Sequence, residues 1–153
     1  MSVTQRLDDL SITLPQVVAP LAAYVPVTQS GQQLYTAGQI PVRDGSLIAA
    51  GQVGGEVPVD IAIECARLCA INALAAAQSA LGDLRRVRKV VKLTAFVAAD
   101  PHFVDFPTVG DGASRLLLEV FGASAGRHVR TAVGVSRLPL NAPVEIDFQF
   151  EVE

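Results

Sequence analysis

The stretch His128–Val152, HVRTAVGVSRLPLNAPVEIDFQFEV, decides the fold of this chain. Its second half alternates without a break: Val144, Ile146, Phe148, Phe150 and Val152 point one way, and Glu145, Asp147, Gln149 and Glu151 the other. That period of two is the mark of a strand with one face in a core. Its first half, Arg130–Ser136, follows the same rule, with Thr131, Val133 and Val135 on the apolar side and Arg130, Ala132, Gly134 and Ser136 opposite. The link Arg137–Pro143 is short enough for a hairpin. In that pairing Arg130 and Glu145 share a sheet face, yet lie about 16 Å apart at roughly 3.3 Å per residue. A site that uses both then takes them from two copies of the chain.

Working back from this stretch, Val87–Ala98 is a long strand, with Val87, Val91, Leu93, Ala95 and Val97 on one face and Arg88, Lys92 and Thr94 on the other. Pro58–Leu81 is Ala-rich, carries Asp60, Glu64, Arg67 and Gln78 along one stripe, and is closed by Gly82, which predicts an amphipathic helix of about six turns. Asp100-Pro101 opens a second helical region that ends at Gly122. Nearer the start, Tyr24–Thr28 and Gln33–Val42 read as strands flanking a Ser30-Gly31 turn, and a short helix is expected near Val3–Leu10. Two long helices cover only one side of such a sheet, so the other side faces water or a second copy.

Bulk properties narrow the possibilities. The chain has 153 residues, the size of one domain, with residues 1–20 as an N-terminal extension. Half its residues are hydrophobic and only 18% are charged, against about 25% in ordinary domains, which favours an oligomer. A net charge of −3 gives no positive field for phosphates, so nucleic acid is a poor fit. No stretch suits a signal sequence or a membrane span, which implies a cytoplasmic protein. Cys65 and Cys69 sit four apart on one helix face and, with no further Cys, read as core residues rather than a metal site.

Taken together, HVRTAVGVSRLPLNAPVEIDFQFEV, LYTAGQIPVRDG (Leu34–Gly45), the Ala-rich helix and LGDLRRVRKVVKL closely resemble the RidA/YjgF family of reactive-imine deaminases, from about Tyr24 to the end and in matching order. The resemblance implies an α+β, chorismate-mutase-like fold: a mixed sheet with two helices on one face, three copies packed around a barrel-like core, and ligand clefts between subunits. It implies hydrolysis of enamines and imines such as 2-aminoacrylate to a keto acid and ammonia, with no metal or cofactor. Carried over residue by residue, Arg130 grips the substrate carboxylate through its planar fork, Glu145 positions or deprotonates the attacking water, Tyr24 lines the cleft, and the backbone at Ala132 assists. By its own spacing, two residues before Arg130, His128 falls on the same face, as a candidate for proton transfer or, more plainly, as a rim residue. This sequence departs from the family at Ala37, where Ser is usual, at Ala132, where Cys or Asn is common, and at Asp111, where an Asn is often found.

Plainer readings stand beside these. Arg130 serves equally as a structural partner for Glu151, and Glu145 as half of an interface ion pair. His102 fits the start of a helix, and GQVGGEV, Gly51–Val57, lacks the ending of a phosphate loop and suits a flexible lid. Arg85, Arg86, Arg88, Lys89 and Lys92 are the one feature that suits RNA, without aromatic platforms beside them. Two alternative functions follow: a non-catalytic binder of small carboxylates, and an endoribonuclease or translation inhibitor.

Overall fold

A computed structural model describes residues 1–17 and 22–153. The chain runs α1 (Val3–Asp9), β1 (Val27–Ser30), β2 (Gln33–Thr36), β3 (Val42–Arg43), β4 (Ser46–Leu47), α2 (Val59–Leu81), β5 (Val87–Ala98), α3 (Phe106–Ala125), β6 (Val129–Val135) and β7 (Val144–Val152). One mixed sheet has the order β1-β2-β7-β5-β6, and β3 and β4 form a small separate pair. The helices α2 and α3 pack on each other and on one face of the large sheet. This is the expected α+β architecture.

The central strands hold because their inward faces are wholly apolar. Val144, Ile146, Phe148, Phe150 and Val152 of β7 are all buried, and the Phe148 and Phe150 rings stack with centroids 6.2 Å apart. Burying one such phenylalanine stabilises the fold by roughly 2–3 kcal/mol. Helix α2 meets them with small residues, Ala62, Ala66, Ala70, Ala73 and Ala77, all at 0–1% exposure, which lets its axis come close to the sheet. It ends as expected, with Gly82 in the left-handed region at φ 76°. At the start, Ser2 and Gln5 form a reciprocal cap on α1.

Several expectations are corrected. The segment Arg137–Pro143 does not make a hairpin: β6 pairs parallel to β5, β7 pairs antiparallel to β5 on its other side, and β5 therefore lies between them. The long β5, with an inward face of Val, Leu and Ala, gains more as a central strand with two partners than at an edge. Along β5 the register shifts between Val87 and Lys89 and between Val90 and Lys92, so Val90 rather than Val91 enters the core. The shift nearer Leu93 exchanges the faces of the residues just before it, and the second shift returns Val87 to the core.

Gln33–Val42 is also broken. Pairing with β7 stops at Tyr35, Gln39 makes one isolated bridge to Ile146, and Val42 turns into the β3–β4 pair. The first strand begins at Val27, three residues beyond Tyr24, which sits in a bend at 59% exposure. Asp100-Pro101 forms a turn, in which the His102 amide donates to Asp100 Oδ1, and α3 begins only at Phe106. Gly122 breaks α3 with φ 82°, and one more turn follows before Ala125. The loop Gly51–Val57 is pinned rather than lid-like, because Val53 is buried and its backbone bonds to Ala98 and Asp100.

Candidate functional site

Register fixes which way β6 faces. Arg130 is opposite Leu93 and Ala132 opposite Ala95, and both of these β5 residues are fully buried under the helices. Residues opposite each other share a face, so Arg130, Ala132 and Gly134 lie on the helix side. Thr131 and Val133 lie with Thr94 and Phe96 on the open side. The expected faces of β6 are thus inverted. The reason is packing: α3 crosses close over this edge strand, and a Cβ on Gly134 would come within 2.5 Å of the Phe106 ring, so small residues are needed where large ones were expected inside.

Glu145 is opposite Phe96 and so stands on the open face, away from Arg130. Their positions differ by three residues along β5 and by two strand spacings, about 14 Å between backbones. Glu145 leans across Gly38, where any Cβ would overlap its carboxylate. Half-burial in the sheet face, and then the neighbouring Asp147 charge, push the Glu145 carboxyl above its usual range. Asp147 is raised too, chiefly by burial, although Thr94 and Lys92 pull it down. Tyr24 precedes β1 at the opposite edge of the sheet from β6. One subunit therefore gathers Arg130, Ala132 and His128, and keeps Glu145 and Tyr24 apart from them.

Around Arg130 the helix α3 supplies a complete setting. Its Nη1 donates to Asp111 Oδ1 at 2.8 Å and to Ser114 Oγ at 3.1 Å, and its Nη2 donates to the Pro107 carbonyl at 3.2 Å. Gly110 lies against the plane of the guanidinium, with a hypothetical Cβ 3.3 Å from Cζ. The side chain remains 23% exposed and Asp111 40%. His128 Nε2 lies 2.9 Å from Ser114 Oγ, and its Nδ1 lies 2.7 Å from the Gly126 carbonyl. A carbonyl only accepts, so Nδ1 carries a proton; in the neutral ring Nε2 then accepts from the Ser114 hydroxyl, an assignment made from the partners.

Asp111, not Glu151, is therefore the carboxylate beside Arg130. In the sequence Asp111 stands out only as a departure from a family pattern, and Ser114 does not stand out at all. The signal was present: Pro107, Asp111 and Ser114 recur at helical spacing and so share one face of α3. At the far end of the same β6 face, beyond the first turn of α3, a hollow of about 340 Å³ opens between Gln52, Pro101, Phe103, Phe106, Gly134 and Ser136. Hollows of about 470 and 460 Å³ run along residues 12–17 and α2, and hold neither Arg130 nor Glu145.

The three arginines of the basic run near β5 are tied up locally. Arg85 pairs with Asp83, Arg88 pairs with Glu153 at 3.0 Å, and Arg86 donates to the Leu81 and Glu153 carbonyls. Cys65 and Cys69 are free and buried, and among the described residues no group of three or more His, Cys, Asp or Glu is placed to hold a metal ion. No helix among them is long and apolar enough to cross a membrane.

Known proteins resemble this chain along nearly its whole length. The family described as "YjgF/chorismate mutase-like, putative endoribonuclease" matches residues 4–151. Protein TCP17 of Trypanosoma cruzi is 44% identical over 150 residues, 98% of this chain and 94% of its own length. A crystal structure of a protein of unknown function from Agrobacterium tumefaciens is 47% identical, covers 99% of this chain and 92% of its own, and superposes with a TM-score of 0.91. More distantly, Escherichia coli TdcF, solved with bound serine, is 25% identical, covers 88% of this chain and 92% of its own, and has a TM-score of 0.63. The match spans nearly the whole chain, from α1 to β7, and on it the chain belongs to the RidA/YjgF family.

Proposed function

We propose that this protein hydrolyses reactive enamines and imines of the 2-aminoacrylate kind to keto acids and ammonia, in clefts formed between subunits of a homotrimer. The observation that carries the reading is Arg130. A guanidinium has five N–H donors, and among the described residues three are used, which leaves two beside partly exposed space for a ligand carboxylate. The bound serine of TdcF is a ligand with such a carboxylate.

The chemistry asks for little else. 2-Aminoacrylate tautomerises to an imine that is already electrophilic; water adds to its carbon, and the adduct expels ammonia to leave pyruvate. Fixing the substrate and orienting one water supplies much of the acceleration. Glu145 is the base for that water: its raised pKa keeps the carboxylate basic enough to accept a proton. Because it lies on the other sheet face, it must come from a neighbouring subunit, as must Tyr24. The open face supports such packing, since Val129, Val133 and Tyr35 stand on it with 64%, 39% and 41% exposure.

The test is to couple the purified protein to an enzyme that releases 2-aminoacrylate and follow pyruvate. Faster pyruvate formation that Arg130→Ala abolishes is expected; no acceleration, or an undiminished rate in the variant, removes the proposal. The separation of Arg130 from Glu145 favours one second reading, a carboxylate binder without turnover, which the same assay selects if keto acids bind and no imine is consumed.

A further inference from the structure

The carboxylate that holds Arg130 also changes what Arg130 attracts. Asp111 Oδ1 sits 2.8 Å from Nη1, so the anchor is a contact pair of one positive and one negative charge, not a lone cation. Arg115 reaches the other Asp111 oxygen at 3.7 Å, but its side chain is 74% exposed and water screens it. The Arg130 fork, 23% exposed and covered by Gly110, is the less solvated partner.

Resting on the carboxylate-binding reading above, we infer that Asp111 makes this a receptor for zwitterions: it selects 2-imino acids in their protonated iminium form and 2-amino acids, which carry a positive nitrogen beside the carboxylate, over 2-keto acids, which carry the carboxylate alone. A ligand carboxylate on the remaining donors of Arg130 lies within several ångströms of the Asp111 charge. At that range and partial burial, two negative charges repel appreciably. An iminium or ammonium on the adjacent carbon offsets the repulsion, since its positive charge faces the same field. The site therefore tolerates net neutral ligands and disfavours net anions.

Direction of reaction follows from this. Hydrolysis converts R–C(=NH2⁺)–COO⁻ and water into R–CO–COO⁻ and NH4⁺, with charge and atoms conserved. The substrate enters net neutral, and the organic product is left as an anion in front of Asp111. Its departure is favoured by the same carboxylate that admitted the substrate. Ser114 and the Pro107 carbonyl keep the guanidinium in place independently of Asp111, so charge and position are separable by substitution.

The experiment measures dissociation constants of L-serine and pyruvate, by calorimetry or ligand-detected NMR, for the wild type, Asp111→Asn and Arg130→Ala. Asparagine keeps an oxygen acceptor for Nη1 and removes the charge. The ratio of serine to pyruvate affinity should fall by about tenfold in Asp111→Asn, mostly through tighter pyruvate binding. Asp111→Ser serves in the same way if the asparagine variant is poorly folded. An unchanged ratio, or equal weakening of both ligands, overturns the inference. The two readings fail differently: if Arg130→Ala binds both ligands as well as the wild type does, the carboxylate anchor itself is wrong. If Arg130→Ala loses both while Asp111→Asn leaves the ratio unmoved, only the selection by Asp111 is wrong.

Discussion

Arg130 and Glu145 stand on opposite faces of one sheet, held there by their alignment with Leu93 and Phe96 of the strand between them. Odd spacing along β5 puts one under the helices and the other on the open side, and no side-chain movement can reverse that. If both act on one substrate, two chains must supply them. Mixing Arg130→Ala with Glu145→Gln subunits in equal amounts, by refolding them together, should then restore activity that neither variant has alone. In a ring assembled at random, a site draws its arginine from one subunit and its glutamate from the next, so about a quarter of the sites are intact. A mixture no more active than the separate variants rules the shared site out.

The architecture was legible because β7 and α2 state their periods plainly. Five alternating apolar residues and a capped, Ala-rich run leave few alternatives, and the structure keeps the bounds of β5 and β7 as read. The neighbours of each strand were less legible, since a short link such as Arg137–Pro143 serves a hairpin or a step across one strand equally well. The face of Arg130 depended on that choice and on the closeness of α3, which is set by Gly110, Gly112 and Gly134 and leaves no hydrophobic pattern to read. Asp111 and Ser114 were hidden for the same reason: they become partners of Arg130 only once α3 lies across β6.

The open-face carboxyls should show in the pH dependence of stability. Glu145 and Asp147 both have raised values in the fold, mainly from burial. Below about pH 4, the range of unfolded carboxyls, both are protonated in either state and their contribution is complete. As pH rises through the raised folded values, they ionise on a half-buried surface and that stability is lost. Glu145→Gln and Asp147→Asn together should therefore raise Tm near pH 7 and leave it unchanged in acid. Thermal melts across this range decide it; parallel curves for variant and wild type contradict the assignment.

Cys65 and Cys69 should be inert thiols in the native protein. Burial, and then the Glu64 charge, push Cys65 up to about 11, and Cys69, wholly enclosed, is raised as well. A thiolate is the reactive form, so labelling by a thiol-specific disulfide at mildly alkaline pH should be no faster than opening of the fold. Rapid labelling of either residue without denaturant is the contrary result.

At Gly112, α3 lies directly against the backbone of α2. A methyl group there would overlap the Ile63 carbonyl oxygen, and Ala66 Cβ lies 3.2 Å from the same point. The carbonyl belongs to the α2 backbone and cannot rotate away, so Gly112→Ala must part the helices. Overpacking of this kind costs about 1–3 kcal/mol, partly offset by the better helix propensity of alanine, worth up to about 1 kcal/mol. The net effect expected is a lower Tm with unchanged unfolding cooperativity. Because α3 also carries Asp111 and Ser114, the displacement should weaken ligand binding as well, which melting and titration of the same sample can separate. Gly110→Ala provides the contrast: its methyl group meets the flexible Arg130 side chain at 3.3 Å rather than backbone. It should disturb binding more than stability, and the reverse order would mean that α3 is not held against α2 at Gly112.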